Sequence, residues 1–493
     1  MEILEKLLLF VYFGTAFVLM IYGINCYVMV YLYLRGQKRA RQYRTKVSGM
    51  AGRFLADPDL PFVTTQIPVF NEFNVVERVV RAACRMDYPL EKHEIQILDD
   101  STDGTVHVAH ELTEELKKQG FHIRHIQRKR REGFKAGALA EGLRQSSGEL
   151  IAIFDADFVP PENFLSTVVP YFLMDQELGL VQARWGHLNR KRSLLTRVQS
   201  IGIDGHFMIE QSARYVGNLF MNFNGTAGMW RKSAIHDGGG WSWDTLTEDM
   251  DLSYRVQLAG WKTMFLPDLV VPAEIPENIN AFKSQQFRWA KGSIQTAIKL
   301  LPGLLRSPAP FFKKVEAFFH LTHYLVHPMM LILSLLAFPV IRFVNYAPGP
   351  TLFFILAWML AVSMAAPGTL YVVSQRAAYP DWKKRILVLP FLVMVGVGIA
   401  VSNSKAVAEA LLGWKSEFLR TPKKGDIEVI RYQTMIPWTG ALEMIVGVYC
   451  TWSFGYYLFA EKYLVGYFLS IYAFGFLFTG LLSITQSIPG FRK

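Results

Sequence analysis

Residues 7–34 (LLLFVYFGTAFVLMIYGINCYVMVYLYL) contain no charged side chain. Crossing a bilayer takes roughly 20 consecutive apolar residues, so this run is long enough to span. It is too long for a removable signal peptide and lacks the small-residue cleavage site of one. Arg35, Lys38, Arg39, Arg41, Arg44 and Lys46 follow with no acidic residue among them, which puts that flank on the cytoplasmic face and the N-terminus outside. A chain of 493 residues is too long for one hydrophobic core. Hydrophobic residues make up 51% and charged residues 19%, which excludes a disordered chain and argues against an ordinary soluble enzyme. Lys and Arg outnumber Asp and Glu by 52 to 41, a net charge of +11. That excess reads as facing anionic lipid, with no nucleic-acid partner expected. Cys26, Cys84 and Cys450 are scattered, with no C-x-x-C and no Cys/His cluster, so neither a disulfide framework nor a Cys-based zinc site is expected.

From Asp57 to about Leu300 no segment is apolar for long enough to span, and the length suits a single soluble α/β domain. Apolar runs return at 317–343, 350–374, 436–459 and 463–485. A fifth run, 386–401, is short and interrupted by Pro390, Gly396 and Gly398. Arg376, Lys383, Lys384 and Arg385 precede it and Lys415, Arg420, Lys423, Lys424 and Arg431 follow it, so both flanks read as cytoplasmic. The segment 386–413 is therefore expected to be an interfacial or re-entrant helix, with the shared face of Lys405 and Glu409 turned to water. Five spans result, against an alternative of six simple ones. The organisation expected is 1–57 as membrane helix and basic flank, 58–302 as a cytoplasmic domain ending in an interfacial helix, and 303–493 as a multi-pass membrane region.

Within the soluble domain, 62–69 reads as a strand and 74–84 as a helix. A second strand, 94–98, ends in Asp99-Asp100, and a third, 150–154, ends in Asp155-Ala156-Asp157. This is the pattern of an open parallel sheet, which binds ligands at the carboxyl ends of its strands. Two acidic tips there suggest a divalent cation shared with a diphosphate, although an acidic turn after a strand is common. Lys135, in a small-residue segment before a helix, suits phosphate, whereas Arg128–Arg131 reads as a solvated basic loop. Asn224-Gly225-Thr226-Ala227-Gly228 forms a small-residue loop, which either a close ligand or a tight turn would require. Thr247-Glu248-Asp249 leads a helix over 250–259, where the acids taken alone are ordinary dipole partners. Gln285, Arg288 and Trp289 sit on an amphipathic helix before the membrane half. Arginine suits a diphosphate and tryptophan a sugar face, while any interfacial helix also carries such a pair.

Taken together, Asp99-Asp100, Asp155-x-Asp157, Thr247-Glu248-Asp249 and Gln285-x-x-Arg288-Trp289, in this order between membrane spans, resemble the membrane-integrated family 2 inverting glycosyltransferases, the cellulose synthase and cellulose-synthase-like β-glycan synthases. Phe223–Gly228 and Gln285-Gln286 look closer to the mannan and xyloglucan-backbone synthases than to bacterial cellulose synthase. Phe418-Leu419-Arg420-Thr421-Pro422-Lys423 resembles the family's gating loop F-x-V-T-x-K, with arginine in place of valine, within 414–431. The resemblance implies a Rossmann-like, glycosyltransferase-A-type α/β domain inserted between transmembrane helices.

It also implies roles. Asp249 would be the catalytic base. Asp155 and Asp157 would hold Mg²⁺ or Mn²⁺. Pro68, Glu72, Asp99, Asp100, Lys135, Asp155, Gln285, Arg288, Thr421 and Lys423 would bind the nucleotide sugar, and Trp289, Glu248 and Asn224 the acceptor glycan. Phe158 stands where some bacterial synthases have a histidine, so no histidine ligand is expected. With Lys493 directly after the last span, no cyclic-di-GMP domain is expected. The activity implied is processive elongation and extrusion of a β-linked glucan- or mannan-like polymer from UDP-glucose, with GDP-mannose second. The alternative is a non-processive enzyme acting on a ceramide or polyprenyl-phosphate lipid. A transporter or scaffold with a degenerate domain fits poorly with acids intact at every motif.

Overall fold

The computed structural model describes residues 2–55, 59–343, 350–414 and 438–488. Between the first helix and the later apolar ones, β-branched residues at period two build a seven-stranded sheet: β1 (Val63–Val69), β2 (His93–Asp99), β3 (His122–Gln127), β4 (Leu150–Ile153), β5 (Leu178–His187), β6 (Gly228–Arg231) and β7 (Lys262–Ala273), in the order β3-β2-β1-β4-β6-β5-β7. The pleat sends Ile95, Ile97, Leu150 and Ala152 to one packed face and Leu98, Ile151 and Ile153 to the other. Both faces are covered, as a mainly parallel sheet requires.

The three strands read from the sequence are β1, β2 and β4. The sheet is not purely parallel, because β6 pairs antiparallel with both β4 and β5. Four strands escaped sequence reading. β3 is an edge strand whose isoleucines Ile123 and Ile126 are buried while His122, Arg124 and Gln127 are not, and a polar outer face weakens the apolar signal. Since β1–β4, β5 and β7 run the same way, their carboxyl ends share one edge. The chain winds from β1 outward to β2 and β3 and then crosses to β4 on the other side of β1. The crevice of such a sheet lies at that switch.

The first helix runs unbroken from Glu2 to Leu55, carrying the apolar run directly into the basic flank. Among the described residues four helices are long and apolar enough to cross a membrane: Ile3–Arg53, Phe311–Arg342, Phe354–Ala378 and Tyr463–Thr485. The helix Trp438–Phe459, expected as a fifth span, is 22 residues long but is not among them; polar residues and glycines dilute it. Trp382–Gly398 and Ala400–Leu411 form a pair bent by 42°, a broken span or a re-entrant loop. Tyr12, Leu333, Leu356, Val397, Val446 and Phe468 draw these helices into one apolar core.

The helix Ile279–Arg306, started by the Asn278 side chain capping Asn280 and Ala281, joins the halves. Its Lys283 pairs with Glu443 at 2.7 Å and its Lys291 with Glu409 at 2.7 Å. The shared face of Lys405 and Glu409 is thus turned to water only in part, with the Lys405 side chain 39% exposed and Glu409 12%. Glu409 meets Lys291, and the Lys405 ammonium lies 5.5 Å from the Phe287 ring and 5.3 Å from the Trp438 ring.

Candidate active site

At the strand-end edge a cleft is lined by Pro68, Glu72, Asp100, Lys135, Asp155, Asp157, Asn224, Glu248, Asp249, Gln285, Arg288 and Trp289. Segments up to 221 residues apart in the chain, from Pro68 to Trp289, thus meet in one place. Asp99 is absent from this lining. Its carboxylate accepts from His125 Nε2 (2.8 Å) and from the Ser101 amide (2.8 Å). Burial works to raise its pKa, but these bonds hold it below the usual carboxylate value. Of the acidic pair, Asp100 faces the cleft and Asp99 ties β2 to β3. Thr421 and Lys423, with the rest of the expected gating loop, lie outside the described residues.

The basic segment 128–131 is solvated only in part: Lys129 and Arg130 are exposed, whereas Arg128 and Arg131 are held by the protein. Arg128 grips Asp100 through Nε (2.8 Å) and Nη2 and donates to the Glu132 and Phe134 carbonyls. The Arg131 guanidinium lies 3.4 Å from the Phe70 ring centroid and lines the cleft. Sequence reading missed this because a run of cations looks the same whether its partners are solvent or distant carboxylates.

Lys135 stands in the first turn of the helix Phe134–Gln145. Its ammonium pairs with Asp155 and donates to the Gly225 carbonyl (2.8 Å). Burial pulls its pKa down, but Asp155 and Glu248 hold it above the ordinary lysine value. The Asp155 amide donates to Thr226 Oγ1 (2.8 Å), fastening the β4 tip to the small-residue loop. Gly225 is needed there: its φ is +80°, and a Cβ would sit 3.0 Å from Asp249 Oδ2 and 3.3 Å from Lys135 Nζ.

Glu248 and Asp249 open the helix Glu248–Leu258. Burial pushes both carboxyls upward. Asp249 rises to about 7, driven first by burial and then by the Glu248 charge, against the pull of Lys135. Burial lowers Arg288, which Glu248 and Asp155 resist. The helix bearing Gln285, Arg288 and Trp289 touches the Thr247 segment at Gly292, where a Cβ would meet Thr247 Cγ2 at 2.5 Å. Trp289 sits 6.4 Å from Trp185, centroid to centroid, and Trp185 packs against Phe158 at 5.1 Å. Trp185, His187 and Glu274 also line the cleft. They stand at or just past the ends of β5 and β7, so assigning those strands would have found them.

Residues 60–292 match the family described as "Glycosyltransferase like family 2". The chain is 34% identical over 450 residues to "Probable glucomannan 4-beta-mannosyltransferase 11" of Arabidopsis thaliana, covering 87% of this chain and 98% of the relative. It is 42% identical over 266 residues to "Glucomannan 4-beta-mannosyltransferase 2" of the same plant, covering 53% of this chain and 50% of that relative. Among solved structures, a mannosyltransferase from Pyrobaculum calidifontis in complex with GDP-Man and Mn2+ is 20% identical, over 79% of this chain and 99% of its own, with a TM-score of 0.47. That superposition is too loose to carry a ligand across. The ordered motifs, the strand-end cleft they line and the near full-length match to a plant relative converge: this chain belongs to the family 2 glycosyltransferases of the cellulose-synthase-like kind.

Proposed function

We propose that the protein is a processive, inverting β-1,4-mannosyltransferase that draws mannose from GDP-mannose and lengthens a mannan- or glucomannan-type chain. The observation that carries the reading is geometric: the half-buried Asp249 carboxyl stands with Lys135 and Arg288 in one cleft, and burial pushes its pKa up to about 7. The donor order differs from that expected from the sequence, where UDP-glucose stood first. The relatives named above are mannosyltransferases, and glucose and mannose differ only in one hydroxyl's orientation, which no motif encodes.

In this reading the Asp249 carboxylate takes the proton of the acceptor hydroxyl as its oxygen attacks the anomeric carbon. The bond from that carbon to the diphosphate breaks on the opposite face, and GDP leaves. A base near pKa 7 suits work at neutral pH. Lys135 and Arg288 receive the negative charge that gathers on the departing diphosphate. Trp289 underlies the acceptor sugar, Asn224 and Glu248 bind its polar groups, and Pro68, Glu72, Asp100 and Gln285 hold the donor.

Asp155 and Asp157 fit a divalent cation. Among the described residues no three of His, Cys, Asp and Glu gather into a complete metal site, so oxygens of the diphosphate would complete the shell. Asp155, Asp157, Glu248 and Asp249 outnumber Lys135 and Arg288 in the cleft, leaving negative charge for a cation to balance. When bound, Mg²⁺ or Mn²⁺ would act as a Lewis acid on the diphosphate. The polymer would leave through the membrane half, with the transferase domain cytoplasmic and the bent pair 382–411 entering and leaving the bilayer on that side.

Membranes containing the protein, given labelled GDP-mannose and UDP-glucose separately, test the reading. Label from GDP-mannose should enter a polymer that endo-β-mannanase degrades. Incorporation from UDP-glucose alone would overturn the donor, and label recovered as a solvent-extractable lipid would overturn the polymer.

A further inference from the structure

The orientation of the Asn224 amide is dictated by a chain of hydrogen bonds that starts at a backbone carbonyl. Buried Gln211 donates from Nε2 to the Asn222 carbonyl (2.8 Å). A carbonyl only accepts, so the Gln211 amide cannot be turned round. The same nitrogen donates to Asn224 Oδ1 (2.6 Å). Asn224 therefore directs Nδ2 to His206 Nε2, 2.9 Å away, and that ring nitrogen must accept. The imidazole is then neutral with its proton on Nδ1, which donates to Glu210 Oε2 (2.9 Å). The backbone of Asn224 is anchored as well, its N–H donating to Gln182 Oε1 (2.9 Å).

His206 and Gln211 can both reach Asn224 because residues His206–Gln211 form a π-helical turn. Its i→i+5 bonding brings residues five apart toward one side, and such turns are frequent at functional sites. Of the two Asn224 amide hydrogens, His206 takes one. The other is left for the cleft that Asn224 lines.

We propose that His206, Glu210 and Gln211 are positioning residues that lock Asn224 with an N–H, and not its carbonyl oxygen, presented to an oxygen of the acceptor glycan. This rests on the reading of Asn224 as an acceptor contact. Glu210 acts at one remove, by keeping the proton on Nδ1 so that Nε2 can accept.

The test uses the full-length protein in detergent, with transfer of labelled mannose to β-1,4-mannohexaose. Asn224→Ala and His206→Phe should each raise the KM for the hexaose about tenfold, the scale of one lost hydrogen bond, with the KM for GDP-mannose within about twofold. The double variant should be no worse than either single, as expected for residues acting through one contact. His206→Gln, whose side-chain oxygen can accept the same N–H, should recover most of the loss. A defect in Asn224→Ala with none in His206→Phe, or additive effects in the double, would overturn the positioning role alone. An unchanged hexaose KM in Asn224→Ala would overturn the acceptor reading and the inference with it. If His206→Phe does not fold, failure of the folded His206→Gln variant to keep the hexaose KM within about threefold of wild type would count against it.

Discussion

The cleft and the seam between the two halves both bury charge, but they do so differently. In the cleft Asp155, Glu248 and Asp249 share Lys135, and Asp155 and Glu248 also share Arg288. Burial first, and the neighbouring carboxylates after it, raise the carboxyls of Glu248 and Asp249. At the seam acid is not in excess, Glu409 meeting both Lys291 (2.7 Å) and Lys405 (3.4 Å). Lys291 is fully buried against Glu409, and Lys283 meets Glu443 with hydrogen bonds to Thr439 (3.2 Å) and Ser483 (3.1 Å). A raised carboxyl that lines a cleft is placed for proton transfer, whereas an ion pair enclosed between helices fixes geometry. The seam pairs bracket Gln285, Arg288 and Trp289 on one helix and hold that wall of the cleft to the apolar helices.

The largest test of this contrast removes the tuned acid. Asp249→Asn keeps the shape and deletes the base, so transfer should fall by about 10²–10⁴-fold while calorimetry shows nucleotide affinity nearly unchanged. Retention of more than about a tenth of the turnover would place the base elsewhere, since general-base loss costs more than that.

Asp155→Ala and Asp157→Ala should each weaken metal-dependent nucleotide binding by about a hundredfold, several kcal/mol being the scale of metal charge stabilisation. Chelation should do the same to the wild type. Nucleotide affinity indifferent to Mn²⁺ would remove the cation from the cleft.

At the seam, Lys291→Met leaves Glu409 only the more distant Lys405 (3.4 Å) and should cost about 1–3 kcal/mol, read as a fall in Tm in detergent. Lys291→Met with Glu409→Gln should regain most of it, because the pair fixes position more than it stabilises. An equally unstable double variant would make the pair a net source of stability and blur the contrast.

A smaller and graded effect is expected from pH. The raised Asp249 is protonated and idle below its pKa of about 7 and ionised above it. Turnover should therefore climb with pH through about 7, changing about tenfold per unit on the acid side. A flat profile from pH 5 to 8 would show the carboxyl untuned.

The last measurement asks on which side the seam's partner helix begins and ends. With Cys26, Cys84 and Cys450 replaced, Ala377→Cys and Trp414→Cys, both exposed positions, should be labelled by an impermeant thiol reagent from the cytoplasmic face only. Labelling of Trp414→Cys from the outside would make 382–411 a crossing.

Legibility followed the range of the interaction. β1, β2 and β4 could be read because their apolar runs end in acids, and Asp249, Lys135 and Arg288 because their motifs keep fixed spacing and order. β3 could not, its outer face being polar, nor β5 to β7, whose ends bring Trp185, His187 and Glu274 to the cleft. Asp99 and Asp100 are neighbours in sequence, yet pleating sends one to His125 and the other to the cleft. Adjacent side chains on a strand point to opposite faces, so motif membership did not distinguish them.

By itself the sequence determined where lipid-compatible helices lie, that an α/β sheet ends in carboxylates, and which family the motifs resemble, because hydropathy and strand period are local and additive. Only the tertiary structure decided which charges are shared and which are paired, that Arg128 holds Asp100, that Glu409 meets Lys291, and which way the Asn224 amide turns. Each of these depends on which distant group lies within about 3 Å, the range of a hydrogen bond, and that distance exists only once the chain has closed on itself.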